Sequence, residues 1–247
     1  MNLYNHIKIG LLMAIWILSV TINIAQEDKD LLPLPEVITP GIGMSAPSDA
    51  IILFTEGSTL DKFESTKGGP ALWKVEGTHF TIEPGTGNIQ TKTLFGSCQV
   101  HIEWQTPIED ADKEGQKSGN SGVYLMGKYE VQVLNSYINV TYADGQAGAI
   151  YKQHPPLVNA SRKPGEWQVY DIVFLAPEYN EEGNKTKSGY FTVFHNGVLI
   201  HHMAEIGDPT TSFNKDLPEL ASKGPLMLQD HTNKVSYRNI WIRELDN

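Results

Sequence analysis

Residues 118–135, SGNSGVYLMGKYEVQVLN, set the reading of the whole chain. Gly119 and Gly122 flank Asn120 and Ser121, a composition that tolerates left-handed backbone and lets short polar side chains bond back to it. From Tyr129 the residues alternate strictly, with Tyr129, Val131 and Val133 on one side and Glu130 and Gln132 on the other. If the apolar side is core, Glu130 and Gln132 stand roughly 7 Å apart on the opposite face of a strand. A second segment, Gly224 to His231 (GPLMLQDH), carries Met227, Gln229 and His231 at the same spacing of two. Two such strands, side by side, would build one polar site.

The rest of the chain has the punctuation of an all-β protein. Strand-like pieces at residues 51–54, 73–76, 79–82, 89–91 and 99–105 are separated by turn residues, and no amphipathic helix appears. In residues 99–105, Val100, Ile102 and Trp104 oppose His101 and Glu103, so half of that strand is expected to be wet. Asn196-Gly197 between residues 190–194 and 198–202 is the strongest hairpin signal. Residues 226–231 and 235–243 read as a last hairpin, and residues 148–151 as a short strand bringing Tyr151 near the site. Residues 167–174, apolar on both sides apart from Gln168 and Asp171, read as a central, doubly covered strand. The loop 109–117, acidic with lysines, reads as a solvated excursion. Together these features predict an antiparallel two-sheet jelly-roll sandwich, with an enclosed barrel as the alternative.

Ahead of this lies an N-terminal leader. Lys8 precedes an apolar run from Ile9 to Val20, and Ala25 stands before Gln26-Glu27-Asp28, the pattern of a secretory signal peptide. The expected organisation is therefore a leader at 1–25, a proline-containing arm at 26–50 and the folded domain at 51–247. Loss of the leader takes the formal net charge from −10 to −11, which argues against nucleic acid as a partner. It also leaves no stable membrane span. The single Cys98 has no internal disulfide partner and reads as a buried strand residue. Export without disulfides suits a bacterial periplasmic or cell-surface protein.

The succession LFTEGSTLDKF (53–63), GNIQTK (87–92), NSGVYL (120–125), YEVQVLNS (129–136), GAIY (148–151), KPGEWQVYDI (163–172), NGVLI (196–200), GPLMLQDH (224–231) and RNIWIREL (238–245) resembles the secreted bacterial 3-keto-disaccharide hydrolase family. The resemblance implies a concanavalin-like jelly roll, related in shape to laminarinase-type glucanases, and activity on glycosides oxidised at carbon 3. The family's strand usually ends in Asp where this chain has Asn135, so no charge is available there.

Ordinary glycoside hydrolysis uses two carboxylates about 5 to 9 Å apart. The positions that would supply the second one here hold amides, Gln132 and Asn135, which disfavours a plain glucanase. A 3-keto sugar needs less, because its carbonyl acidifies the hydrogen on carbon 2 and one base can start an elimination. Glu130 and His231 are the candidate base and acid in either order, with Gln132, Gln229 and Tyr151 as hydrogen-bond donors and Asn120 and Ser121 as further substrate-binding residues. Glu130 and His231 are also suitable ligands for a divalent metal, which would supply the electrophile instead; no other cofactor is implied. The rival from another class is a carbohydrate-binding module using Trp73, Trp104, Trp167 and Trp241 as platforms, although most of these alternate with core positions. His201 and His202 fall on opposite faces of one strand and cannot act together.

Overall fold

The computed structural model describes residues 34–210 and 222–245; the leader expected at residues 1–25 lies outside them. Fifteen strands form among the described residues: β1 (Ile51–Phe54), β2 (Phe63–Ser65), β3 (Lys74–Glu76), β4 (His79–Thr81), β5 (Ile89–Phe95), β6 (Cys98–Gln105), β7 (Ser121–Leu125), β8 (Tyr129–Val133), β9 (Gln168–Leu175), β10 (Glu178–Tyr179), β11 (Lys185–Lys187), β12 (Tyr190–His195), β13 (Val198–Glu205), β14 (Gly224–Leu228) and β15 (Ser236–Glu244). The helical content described is three short 3-10 turns, at Ile108–Asp110, Gly115–Lys117 and Ala143–Gly145. No helix among the described residues is long and apolar enough to cross a membrane.

The strands make an antiparallel jelly-roll sandwich. One sheet runs β13-β12-β9-β6-β15-β4-β3, with β1 also paired to β15; the other runs β2-β5-β14-β7-β8. Between them lie the inward halves of alternating strands: Val100, Ile102 and Trp104 from β6, Tyr170, Ile172 and Phe174 from β9, and Tyr129, Val131 and Val133 from β8. Aromatic rings fill one end of this layer, where Phe54 meets Phe80 edge-on at 4.7 Å and Tyr237 stacks on Phe80 and Trp73. Burial of such rings against each other is the dominant stabilisation of a sandwich of this kind. Cys98 is buried in β6, and burial pushes its thiol up to about 12.

The Asn196-Gly197 turn closes the β12–β13 hairpin with both residues at positive φ, 52° and 79°, the primed geometry that suits the twist of paired strands. Other expectations are corrected. β14 and β15 are not a hairpin: β14 lies between β5 and β7 in one sheet, and β15 between β6 and β4 in the other. The chain leaves the smaller sheet after Leu228 because Asp230 turns to another loop. Its Oδ2 accepts from Gly85 N and Gly87 N at 2.8 and 3.0 Å, and its own N–H donates to Asn88 Oδ1. Residues 148–151 form one bridge on the edge of β8 rather than a strand, bent at each end by Gly148 (φ 82°) and Lys152 (φ 62°). β9 is central in its sheet, but Asp171 and Val173 on its outer face are only half-buried.

Gln99 and Gln105 at the ends of the outer face of β6 are half-buried, but its middle is not wet. His101 and Glu103 are buried there, with His101 Nδ1 2.6 Å from Asp171 Oδ1 and Glu103 Oε2 2.6 Å from Arg238 Nε. Trp241 stacks on the His101 ring at 5.2 Å. A strap from the N-terminal arm closes the patch, since Met44 O accepts from both Asn239 Nδ2 and Trp241 Nε1, and Asp49 pairs with Arg243. Charged groups are tolerated here because each one finds a partner.

Candidate active site

The site is made by the half of β7 and β8 that faces away from the core. In their register Tyr124 stands opposite Glu130 and Gly122 opposite Gln132. Gly122 is required for this crossing of side chains: a Cβ there would lie 2.4 Å from Glu130 Oε1 and 2.6 Å from Tyr124 Cε2. The missing side chain is thus the space into which Glu130 and Tyr124 lean. Above them lies a cavity of about 120 Å³ whose walls include Glu130, Gln132, Asn120, Tyr151, Gln229 and His231.

Six of the seven residues singled out from the sequence therefore meet at one cavity, and Ser121 does not. Ser121 faces the core, where its Oγ donates to Gln229 O at 2.6 Å and accepts from Tyr237 Oη at 2.7 Å. The reason is parity: Ser121 shares its side of β7 with Val123 and Leu125, both core residues. The other side carries Tyr124, which lines the cavity and was not picked out from the sequence. The alternation of β7 held the signal for it. Gln229 and His231 also come from the turn beyond β14 rather than from its strand. Gln229 is buried, whereas His231 is exposed at the cavity mouth.

Glu130 is 3% exposed, and burial raises its carboxyl to about 8, against a smaller lowering by the hydroxyl of Tyr124 that donates to it. Tyr124 in turn accepts from Gln229 Nε2 at 3.1 Å, and burial lifts its own ionisation well above the usual tyrosine range. The result is a three-residue relay ending at a carboxyl raised to about 8. Such a group can both take and return a proton under physiological conditions.

Beside Glu130 the cavity wall consists of amides. Gln132 Nε2 donates to Gln116 Oε1 at 2.9 Å, and Asn120 Nδ2 to Gln116 O at 2.8 Å. Gln132 is 1% exposed, and its Oε1 is buried without a partner. The donor role expected of Gln132 is thus corrected, since its N–H groups are turned to the protein. The loop 109–117 is likewise more than a solvated excursion. Asp110 is buried, accepting from Gly119 N at 3.2 Å and from Asn233 Nδ2 while pairing with Lys113 at 2.5 Å. It ties the turn before Asn120 to the turn after His231. At the rim Tyr151 Oη lies 2.7 Å from Tyr142 Oη, and Lys152 Nζ sits 3.3 Å above the Tyr142 ring.

Among the described residues no three His, Cys, Asp or Glu side chains gather as a metal site. A cation held by Glu130 and His231 would have to complete its shell from amide oxygens, water or substrate. Trp73, Trp104 and Trp241 are buried and Trp167 is half-buried beneath Arg238 at 4.1 Å, so these four do not form an exposed row of platforms.

A jelly roll with a buried carboxyl, a tyrosine and amides around one cavity suits a carbohydrate-active protein, and the chain's relatives bear out that class. The chain belongs to the 3-keto-α-glucoside-1,2-lyase-like domain family, whose model matches residues 49–243. A candidate glycosyl hydrolase from Parabacteroides distasonis ATCC 8503 is similar in structure, with 45% identity, a TM-score of 0.80, and coverage of 91% of this chain and 98% of that one. A second candidate glycosyl hydrolase from the same organism shares the fold at 19% identity and a TM-score of 0.57, covering 80% of this chain and 94% of that one. No curated protein matches.

Proposed function

We propose that the protein cleaves glycosidic bonds of 3-keto glycosides by elimination across carbons 1 and 2, followed by hydration. The observation that carries this reading is Glu130, a single buried carboxyl raised to about 8 and hydrogen-bonded by Tyr124. Among the described residues it is the one carboxylate that lines the cavity, where direct hydrolysis would use two.

The base removes the proton from carbon 2, and the electrons of that bond pass into the 3-keto group as an enolate. Collapse of the enolate breaks the bond between carbon 1 and the glycosidic oxygen, and the leaving oxygen takes a proton from the acid. Water then adds across the new double bond, its hydroxyl to carbon 1 and its proton to carbon 2. Glu130 and His231 are the base and acid, in either order. The hydroxyl of Tyr151 and the remaining amide hydrogen of Gln229 would stabilise the enolate oxygen. We further propose that the chain is exported and loses residues 1–25, acting in the periplasm or at the cell surface; an N-terminus at Gln26 in protein recovered after export would support this.

The test is NMR product analysis in deuterated water with a 3-keto-glucoside and, separately, its unoxidised parent. Cleavage of the keto compound alone, with deuterium at carbon 2, is expected, together with loss of at least roughly a hundredfold in rate for Glu130→Gln. Cleavage of the parent would restore an ordinary glycosidase. Turnover of neither would favour the binding module.

A further inference from the structure

The amide wall of the cavity has a fixed polarity, set by a backbone carbonyl outside the cavity. Gly145 O accepts from Gln116 Nε2 at 2.9 Å, and Thr141 Oγ1 accepts from the same nitrogen at 3.2 Å. A carbonyl can only accept, so it holds the Gln116 nitrogen on its side and turns Gln116 Oε1 toward Asn120 and Gln132. That oxygen receives Gln132 Nε2 at 2.9 Å and Asn120 Nδ2 at 3.2 Å. Gln116 O takes Asn120 Nδ2 as well, at 2.8 Å, and Gly145 O is 3.5 Å from Gln132 Nε2. Reversing either amide would set oxygen against oxygen. Both nitrogens are therefore committed to the protein. The buried Gln132 Oε1 is left without a partner, and Oδ1 is the polar atom that Asn120 has left for a ligand.

We infer that Gln116, which is not itself among the residues lining the cavity, is a positioning residue that makes Asn120 and Gln132 present acceptors, so that the site selects a neutral sugar ring offering hydroxyl hydrogens to this wall. The inference rests on the carbohydrate reading above and deepens it. A buried acceptor left unpaired by the wrong ligand is costly, which is how a site built to pair with a hydroxyl rejects analogues lacking one. The wall would equally disfavour a carboxylated sugar turned toward it, since oxygen would then face oxygen.

Replacement of a hydroxyl by fluorine tests the polarity, because fluorine keeps the size and removes the hydrogen. Affinities would be measured in a Glu130→Gln background, to stop turnover, for methyl 3-keto-α-glucoside and its 2-, 4- and 6-deoxyfluoro analogues. At least one fluorination is expected to weaken binding tenfold or more. Adding Gln116→Met, which frees Gln132 to turn while the retained backbone carbonyl still holds Asn120 Nδ2, should shrink the penalty at the hydroxyl that pairs with Gln132 to threefold or less. A merely structural loss would weaken parent and analogue alike and leave the ratio unchanged. In the free protein, the side-chain NH2 resonances of Gln132 should be protected from solvent exchange, and Gln116→Met should remove the protection. Equal binding of every analogue while the parent binds would overturn the inference, as would rapid exchange at Gln132. Protection with no binding of any sugar would leave the polarity standing and remove the sugar, together with the proposed function.

Discussion

Replacing Glu130 by Gln should make the protein less sensitive to alkaline pH, whatever it does to turnover. The folded protein holds the Glu130 proton up to about 8, against an ordinary carboxyl value of 4.5. Between those values the native state binds a proton that the unfolded chain has released, so stability falls as pH rises through the window. At roughly 1.4 kcal/mol per pH unit, the loss reaches at most roughly 5 kcal/mol above pH 8. The glutamine side chain of the variant keeps an acceptor for Tyr124 and has no charge to bury. Urea unfolding of both proteins at pH 5, 7 and 9 isolates the effect, because His101 and the other titrating groups are common to both. The variant should gain on wild type steadily with pH, by at least about 2 kcal/mol between pH 5 and 9. Parallel stability curves would refute the buried, protonated carboxyl.

Three further outcomes are expected. Gly122→Ala, which drives a methyl into Glu130 and Tyr124, should cost about 1–3 kcal/mol in chemical denaturation and most of the activity, with the far-UV spectrum kept. Asp110→Ala leaves Gly119 N without its acceptor and Asn233 Nδ2 with Lys117 O alone; it should destabilise by about 1–3 kcal/mol and raise KM, since the tie between the turns bearing Asn120 and His231 is weakened. Cys98, buried with its thiol pushed up to about 12, should resist iodoacetamide in the native protein and react in guanidinium, as followed by mass spectrometry; labelling without denaturant would contradict its burial.

What could be read from the chain alone divides along the range of the physics. The parity of β8 was legible because period-two alternation is local: Tyr129, Val131 and Val133 had to share the core, and Glu130 and Gln132 the other face. The Asn196-Gly197 turn was legible for the same reason. Ser121 was misplaced because the Gly-Asn-Ser-Gly run has no hydrophobic rhythm of its own, and its side is set by Val123 and Leu125 two and four residues on. Continuing that rhythm would also have found Tyr124. The crossing of β14 and β15 into different sheets depends on Asp230 meeting the loop of Gly85 and Gly87, a partnership far apart in sequence. The burial of Asp110 and the locking of Gln116 by Gly145 are of the same kind. An acidic loop looks solvated until the donors that satisfy it come from elsewhere.

The strap through Met44 has a practical consequence. It lies on the outer face of the larger sheet, on β15, and β15 is the last strand among the described residues, reaching Glu244. The cavity opens on the outer face of the smaller sheet. Met44 and Glu244 are therefore both carried by the side of the sandwich turned away from the mouth. A tag, a solid support or a fused partner attached beside either of them would leave substrate access unobstructed. Attachment through the surface lysine Lys152, beside Tyr142 and Tyr151, would place the linkage at the rim and slow entry.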